Sequence, residues 1–288
     1  MVPTPTKIAV WNAPFTMLAA SALRDSPGVD LQLGTSVEAE VLLRAGRVDV
    51  ALLPTDRILM AGDDFDVLPA VGISTWSNPF ARLVLENGLP DAEASPVPEL
   101  HIRCQPDGAL AGLVARIVLK EHYGMIAKVT PPLETDEWGE GGAFDLLASP
   151  ADASRTSPFS STSESDSGSL DVGAGPSKRV ELDLGQEWYE LANYPMVWAA
   201  FVMRKGEVED AHIQLVRDVL VELDENRRTR VLAAGGTEAM QQFELNELRL
   251  RMDDLAIASL TELGEYMYFY ELKETIDPVA FASLTDNE

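Results

Sequence analysis

Cysteine is almost missing from this chain: Cys104 stands alone among 288 residues. One thiol allows no internal disulfide and no cysteine metal cluster. Long apolar runs are missing too. No stretch of eighteen or more uncharged apolar residues occurs, so nothing in the sequence is built to cross a bilayer. The start, Met1 to Lys7, lacks a basic segment followed by an apolar one and runs directly into the strand-like Ile8-Ala-Val-Trp11. No secretion signal is read there, and a cytoplasmic location is expected. Histidine is scarce, and His101, His122 and His212 are scattered with no metal-ligand spacing. No Gly-rich phosphate loop, nucleophile elbow or dinucleotide fingerprint is present.

Positive charge is the other shortage. Lys and Arg total 22 against 47 Asp and Glu, a formal net charge of -25. Nucleic acid is excluded as a partner on that ground, because phosphate contacts need Lys and Arg. The acids are spread along the chain, as on a generally solvated acidic surface. An anionic ligand would need local Arg or backbone amide donors.

What is there is ample apolar material, 46% of residues. The length suits two lobes better than one small core. Residues 7–54 read strand, helix, strand, helix, strand. The strands are Lys7 to Trp11, Val29 to Leu33 and Val48 to Leu53. Pro14 suits a first helical turn. Thr35 and Glu38 suit a capping box, and Gly46 suits a helix end. Such alternation predicts parallel strands with helical crossovers, so ligands are expected beyond the carboxyl ends of the strands. Val67 to Thr75 and Ala81 to Leu85 are further strands, separated by the turn Trp76-Ser-Asn-Pro79.

Pro90 to Pro98 reads as a linker, after which the pattern restarts. Leu100 to Cys104 is a strand, Gln105-Pro-Asp-Gly108 a turn, and Ala109 to Lys120 a helix. Ile126 to Thr130 and Phe144 to Ala148 are strands, the latter leading to Ser149-Pro150. Asp152 to Ser177 is a low-complexity insert of Ser, Thr, Gly, Asp and Pro, too poor in large apolar residues to build a core. Past it, a short helix around Trp188 and Tyr189 and a turn at Tyr194-Pro195 precede Met196 to Met203. That run is apolar on both faces, as in a central strand. The remainder reads as helices at Asp210 to Asn226, Arg228 to Ala234, Glu238 to Leu250 and Leu255 to Glu274. The expected fold is α/β with two lobes. Lobe one comprises residues 1–90 and 195–288, and lobe two residues 91–194 with the loop 152–177.

Residues at strand ends are the site candidates. Asn12, in the turn after strand one, either caps a helix or holds a ligand carboxylate or hydroxyl. Thr55 and Asp56 after strand three carry the same two readings. Gln105, Gly108 and Ala109 open a helix whose free N–H groups can take an anion, although Asp107 competes for them. Arg82 either clamps a carboxylate bidentately or joins a rim salt bridge. On these residues alone the chain is a two-lobe binder of a small polar ligand.

Two stretches carry a resemblance. Leu42-Leu-Arg-Ala-Gly-Arg-Val-Asp-Val-Ala-Leu-Leu-Pro54 and Leu182-Asp-Leu-Gly-Gln-Glu-Trp-Tyr-Glu-Leu, followed by Tyr194-Pro-Met-Val-Trp-Ala, resemble segments of the chorismate dehydratases of futalosine-route menaquinone biosynthesis. The stripe Leu260 to Leu272 is similar as well. The resemblance implies a type 2 periplasmic-binding-protein-like fold with a ligand cleft between lobes. It implies a cytoplasmic carbon–oxygen lyase that converts chorismate to 3-[(1-carboxyvinyl)oxy]benzoate and water without metal or organic cofactor. Asn12 would be catalytic. Thr55, Asp56, Ser77, Asn78, Arg82, Gln105, Gly108, Ala109 and Ser149 would bind the substrate. The family's Ser-rich turn is Gln105-Pro-Asp-Gly-Ala109 here, and its Asn–Pro spacing is shortened at Asn12 and Pro14. The alternative is a non-catalytic cytoplasmic binding protein for a small carboxylate.

Overall fold

Thr6–Trp11 (β1) is buried at every residue except Lys7, the pattern of a strand covered on both faces. It pairs in parallel with Val29–Gly34 (β2) on one side and Val50–Pro54 (β3) on the other. The crossovers are Met17–Asp25 (α1) and Ser36–Arg44 (α2). Pro14 opens the 3-10 turn that feeds α1. The capping box forms at α2: Thr35 Oγ1 accepts the Glu38 N–H at 3.2 Å, and Glu38 Oε2 accepts the Thr35 N–H at 2.8 Å. The structure, a computed structural model, describes residues 4–85, 99–104, 107–130, 144–150, 179–207 and 209–283. The expected linker Pro90 to Pro98 and the insert Asp152 to Ser177 lie outside these residues.

After β3 come Thr55–Ala61 (α3), Phe65–Thr75 (β4), Ala81–Leu85 (β5), Glu99–Arg103 (β6), Ala109–Glu121 (α4), Ile126–Thr130 (β7) and Phe144–Pro150 (β8). Next are Val180–Asp183 (β9), Leu184–Ala192 (α5), Met196–Arg204 (β10), Asp210–Glu225 (α6), Arg227–Ala234 (α7), Glu238–Asn246 (α8), Arg249–Arg251 (β11) and Asp254–Phe269 (α9). Two sheets result, in the orders β11-β4-β10-β3-β1-β2 and β7-β6-β8-β5-β9. The chain divides into two compact units. Unit 1 is Met1–Pro79 with Trp188–Glu288, and unit 2 is Phe80–Glu187.

β10 is the centre of unit 1. All its residues but Arg204 are buried. It runs antiparallel to β3 on one edge and to β4 on the other. The unit boundaries differ from the expected ones at 90 and 194. β5 pairs with β8 and β9, not with any strand of the first sheet, so the chain has already left unit 1 by Phe80. The return comes earlier than residue 195, because Trp188 belongs to unit 1. Its indole N–H donates to Ser259 Oγ at 3.0 Å, and its ring meets Tyr266 edge-on at 5.9 Å. The expected helix from Glu238 to Leu250 also stops short. Leu248, Leu250 and Met252 are buried while Arg249 is half-buried and Arg251 exposed, a period of two that makes β11 a strand against β4.

Trp198 and Thr75 tie β10 to the end of β4. Both are buried, and Trp198 Nε1 donates to Thr75 Oγ1 at 2.8 Å. Thr75→Val removes the acceptor and leaves a buried indole N–H unpaired, an expected loss of about 1–3 kcal/mol in urea denaturation. Thr75→Ser restores the hydroxyl and should recover most of it. Equal stability of Thr75→Val and the parent chain would show that the bond contributes nothing.

Candidate functional site

In unit 1 the strand directions gather the carboxyl ends of β1, β2, β3 and β4 on one edge of the sheet. β1, β2 and β3 are parallel, and β10 reverses between β3 and β4, so β4 runs with β3. Asn12, Thr35, Thr55 and Trp76 follow directly on these ends. Ligands in open α/β sheets bind beyond such ends.

The edge concentrates buried polar groups: Thr16, Ser36, Thr55, Asp56, Thr75 and Asn78 are all closed to solvent. Several hold the fold together. Thr16 Oγ1 lies 2.6 Å from the Trp11 carbonyl and 2.8 Å from that of Ala13, and accepts the Ala13 N–H at 3.1 Å. That fixes the turn carrying Asn12, whose own N–H donates to the Gly34 carbonyl at 2.8 Å. Thr55 Oγ1 donates to the Val197 carbonyl at 2.5 Å. Thr55 is fully buried and caps nothing, so its hydroxyl serves β10 in this structure. Asp56 is buried beside it, in the first turn of α3. The Asn12 side chain is exposed, Ser77 is half-buried and Asn78 is buried.

The electrostatics of this edge come from neighbouring helices. Thr35 backbone and hydroxyl donors hold the Glu38 carboxyl below its ordinary value, so the α2 N-terminus is already occupied by its own chain. Burial works against Glu40, yet hydrogen bonds from Arg44 and Arg57 keep it below the usual carboxylate range. Arg57 also donates from Nε to Ser36 Oγ at 3.0 Å.

An aromatic and cationic group at the same edge was not picked out from the sequence. Trp76 meets the Tyr189 ring edge-on at 4.9 Å, and the Arg249 guanidinium lies 5.3 Å from the Trp76 ring centre. Arg249 donates from Nη2 to Asp253 at 2.6 Å, which leaves further N–H groups of its fork directed elsewhere. Arg249 enters as the first residue of β11, opposite Ser74. The alternation of Leu248, Leu250 and Met252 is the signal that could have placed it.

Unit 2 carries the other candidates. Arg82 on β5 pairs with Glu181 of β9, Nη1 to Oε2 at 2.9 Å, and so sits in a salt bridge. Gly108 and Ala109 open α4, with Asp107 before them in the left-handed region at φ 68. Gln105 lies outside the described residues. Ser149 falls on β8, opposite His101 of β6. Because β8 is antiparallel to β6, Ser149 lies beside the middle of β6 and near the carboxyl end of β8, whereas Gly108 follows the carboxyl end of β6. Arg82 pairs with Asp145 at the start of β8, on the Gly108 side. The structure therefore groups Arg82 with Gly108 and Ala109, and places Ser149 further along β8, away from them. Cys104, buried at the end of β6, has its thiol pushed up by burial to about 12, which disfavours the thiolate form.

These two α/β units define a protein of the periplasmic-binding-protein fold. A Candida albicans protein described as defining a family with that generic fold matches at TM-score 0.52, with 11% identity over 100% of both chains. The periplasmic aliphatic sulphonate binding protein SsuA of Escherichia coli matches at 0.52, with 11% identity over 96% of each chain. The ligand-binding component of a Staphylococcus aureus ABC-type import system matches at 0.57, with 12% identity over 98% of this chain and 97% of that one. More particularly, residues 173–268 match the model of a family described as menaquinone biosynthesis. That is the family the Leu182 to Phe201 stretch resembles, and the match supports a role in menaquinone biosynthesis. No curated protein sequence matches the chain.

The site separates holding residues from exposed ones, and mutation can test the division. Thr55→Val removes the bond to Val197 and is expected to cost about 1 kcal/mol of stability. Asn12→Ala, at an exposed side chain, is expected to stay within about 0.5 kcal/mol of the parent. Chemical denaturation of both variants measures this, and a larger loss for Asn12→Ala than for Thr55→Val would reverse the assignment.

Proposed function

We propose that this protein is a cytoplasmic chorismate dehydratase of the futalosine route to menaquinone, a hydro-lyase acting on chorismate. The observation that carries the reading is the menaquinone-biosynthesis match over residues 173–268, a segment that includes the central strand β10, within a periplasmic-binding-protein fold. The chemistry asks little of a cofactor. The chorismate ring holds two double bonds. Removing the proton from the carbon that bears the enolpyruvyl ether, and hydroxide from its neighbour, creates the third. The proton and hydroxide leave as one water, and the ring becomes aromatic.

The protein's share is to position the ring, hold its carboxylates and give the departing hydroxyl a donor. The unit 1 edge offers groups of that kind. Asn12 presents an exposed amide that both donates and accepts. Ser77 adds a hydroxyl beside Asn78, and Arg249 over Trp76 is suited to a carboxylate, since a guanidinium pairs with one bidentately. Asp56 and Asn78 line the buried side of the same edge.

Incubating the purified chain with chorismate and following loss of the diene absorbance tests the reading. Mass analysis is expected to show a product lighter by one water. Asn12→Ala is expected to lower turnover on the order of a hundredfold, the scale of losing one donor to a developing charge. Thermal stabilisation by chorismate without turnover would instead support the non-catalytic carboxylate binder. No turnover and no stabilisation would sink both readings.

A further inference from the structure

A cavity opens in unit 1, between α6 and the mid-section of β4 and β11, with a volume of about 340 Å³. Its floor and walls are Val71, Leu220, Val221 and Leu250, and Arg217 and Arg251 stand among them. Val71 lies four residues before the end of β4, roughly 13 Å along the strand from the carboxyl edge. The cavity is therefore distinct from the edge that carries Asn12 and Asn78. Small-molecule sites of about 300–1,000 Å³ with apolar walls and a few placed polar groups are the usual form.

Arg217 is the unusual member. It is half-buried, and among the described residues it has no carboxylate partner and no hydrogen bond. The other half-buried arginines are engaged: Arg57 with Glu40, Arg82 with Glu181, Arg204 with Glu207, Arg227 with Asp224, Arg230 with Asp25 and Arg249 with Asp253; Arg103 and Arg116 also have interactions. The acids near Arg217 on its own helix are taken. Asp218 accepts from Gln214 at 2.6 Å, Glu222 faces Arg230 at 3.5 Å, and Asp224 serves Arg227 at 2.6 Å and Arg251 at 3.3 Å. In a chain with 47 acids and 22 bases, a half-buried cation beside an apolar cavity and without an internal counter-charge marks a place for an anion from outside. The apolar walls require that the anion carry an apolar body.

We propose that this cavity binds a small amphipathic monocarboxylate, with the carboxylate on Arg217, Arg251 flanking it, and the hydrocarbon against Val71, Leu220, Val221 and Leu250. The site is independent of the chorismate reading, since it uses none of the residues of the carboxyl edge.

Isothermal titration with decanoate below its micelle concentration, with 1-decanol as the uncharged control, tests it. One saturable decanoate site is expected, at least tenfold tighter than decanol. Arg217→Gln should weaken decanoate at least tenfold while leaving decanol unchanged. Val221→Trp, at a position 41% exposed, should fill the groove and abolish both without unfolding the chain. Turnover of chorismate, where present, should be the same in Val221→Trp as in the parent. The proposal is overturned if decanoate does not saturate, if decanol binds as tightly, or if both variants bind decanoate as the parent does.

Discussion

The rest of unit 1 depends on one requirement: β10 must be covered on both faces and bonded along both edges. Eight of its nine residues are buried, and a strand so apolar at a sheet edge would be a template for aggregation. It is satisfied only between β3 and β4, elements that precede it by more than a hundred residues. The chain must therefore return, and the residues of unit 2 become an insertion between β4 and β10. The reversed direction of β10 then makes β4 run with β3, which completes the edge where Asn12, Asp56 and Asn78 collect. Two side-chain bonds fasten this arrangement at that end, Trp198 to Thr75 and Thr55 to Val197. The central strand and the candidate site thus share their supports.

That dependence explains which parts of the fold were legible in the sequence. β1, β3 and β10 are continuous apolar runs, and burial on both faces leaves such runs unmistakable. The capping box of α2 is local, so Thr35 and Glu38 could be read without any tertiary information. Sheet membership is not local. Ala81 to Leu85 is apolar enough for either sheet, and only pairing with β8 and β9 assigns it. Strand direction is carried by no side-chain period at all, so nothing in Phe144 to Pro150 announced that β8 opposes β6 and carries Ser149 away from Gly108. The three-residue β11 was absorbed into a helix, although the alternation of its buried neighbours contradicts a helical period.

The site was legible by position and not by role. A polar residue after a buried strand can cap a helix, brace a neighbouring strand or face a ligand, and its sequence is the same in each case. Thr55 shows the problem: full burial and a carbonyl 142 residues away assign it to bracing. Arg82 likewise has its partner 99 residues away, on β9. Arg249 was overlooked for the opposite reason. Its stacking on Trp76 requires β11 to lie beside β4, a pairing that short-range pattern does not reveal.

Charge gives the last constraint. With more than twice as many acids as bases, the outer field repels anions, and long-range steering works against an anionic ligand. Binding one must rest on donors held close and partly out of water, where each interaction is stronger than at the surface. Among the described residues most arginines are already committed to carboxylates of the chain itself, as with Arg57, Arg227 and Arg230. What can recognise an outside anion is therefore confined to the few guanidinium groups whose donors the fold leaves directed away from its own acids. Arg217 meets that condition by standing in an apolar wall, and Arg249 meets it in part, since it gives Nη2 to Asp253 while its guanidinium lies across an indole ring. In an acidic protein of this kind, specificity for anions follows from where the surplus of negative charge has been locally excluded.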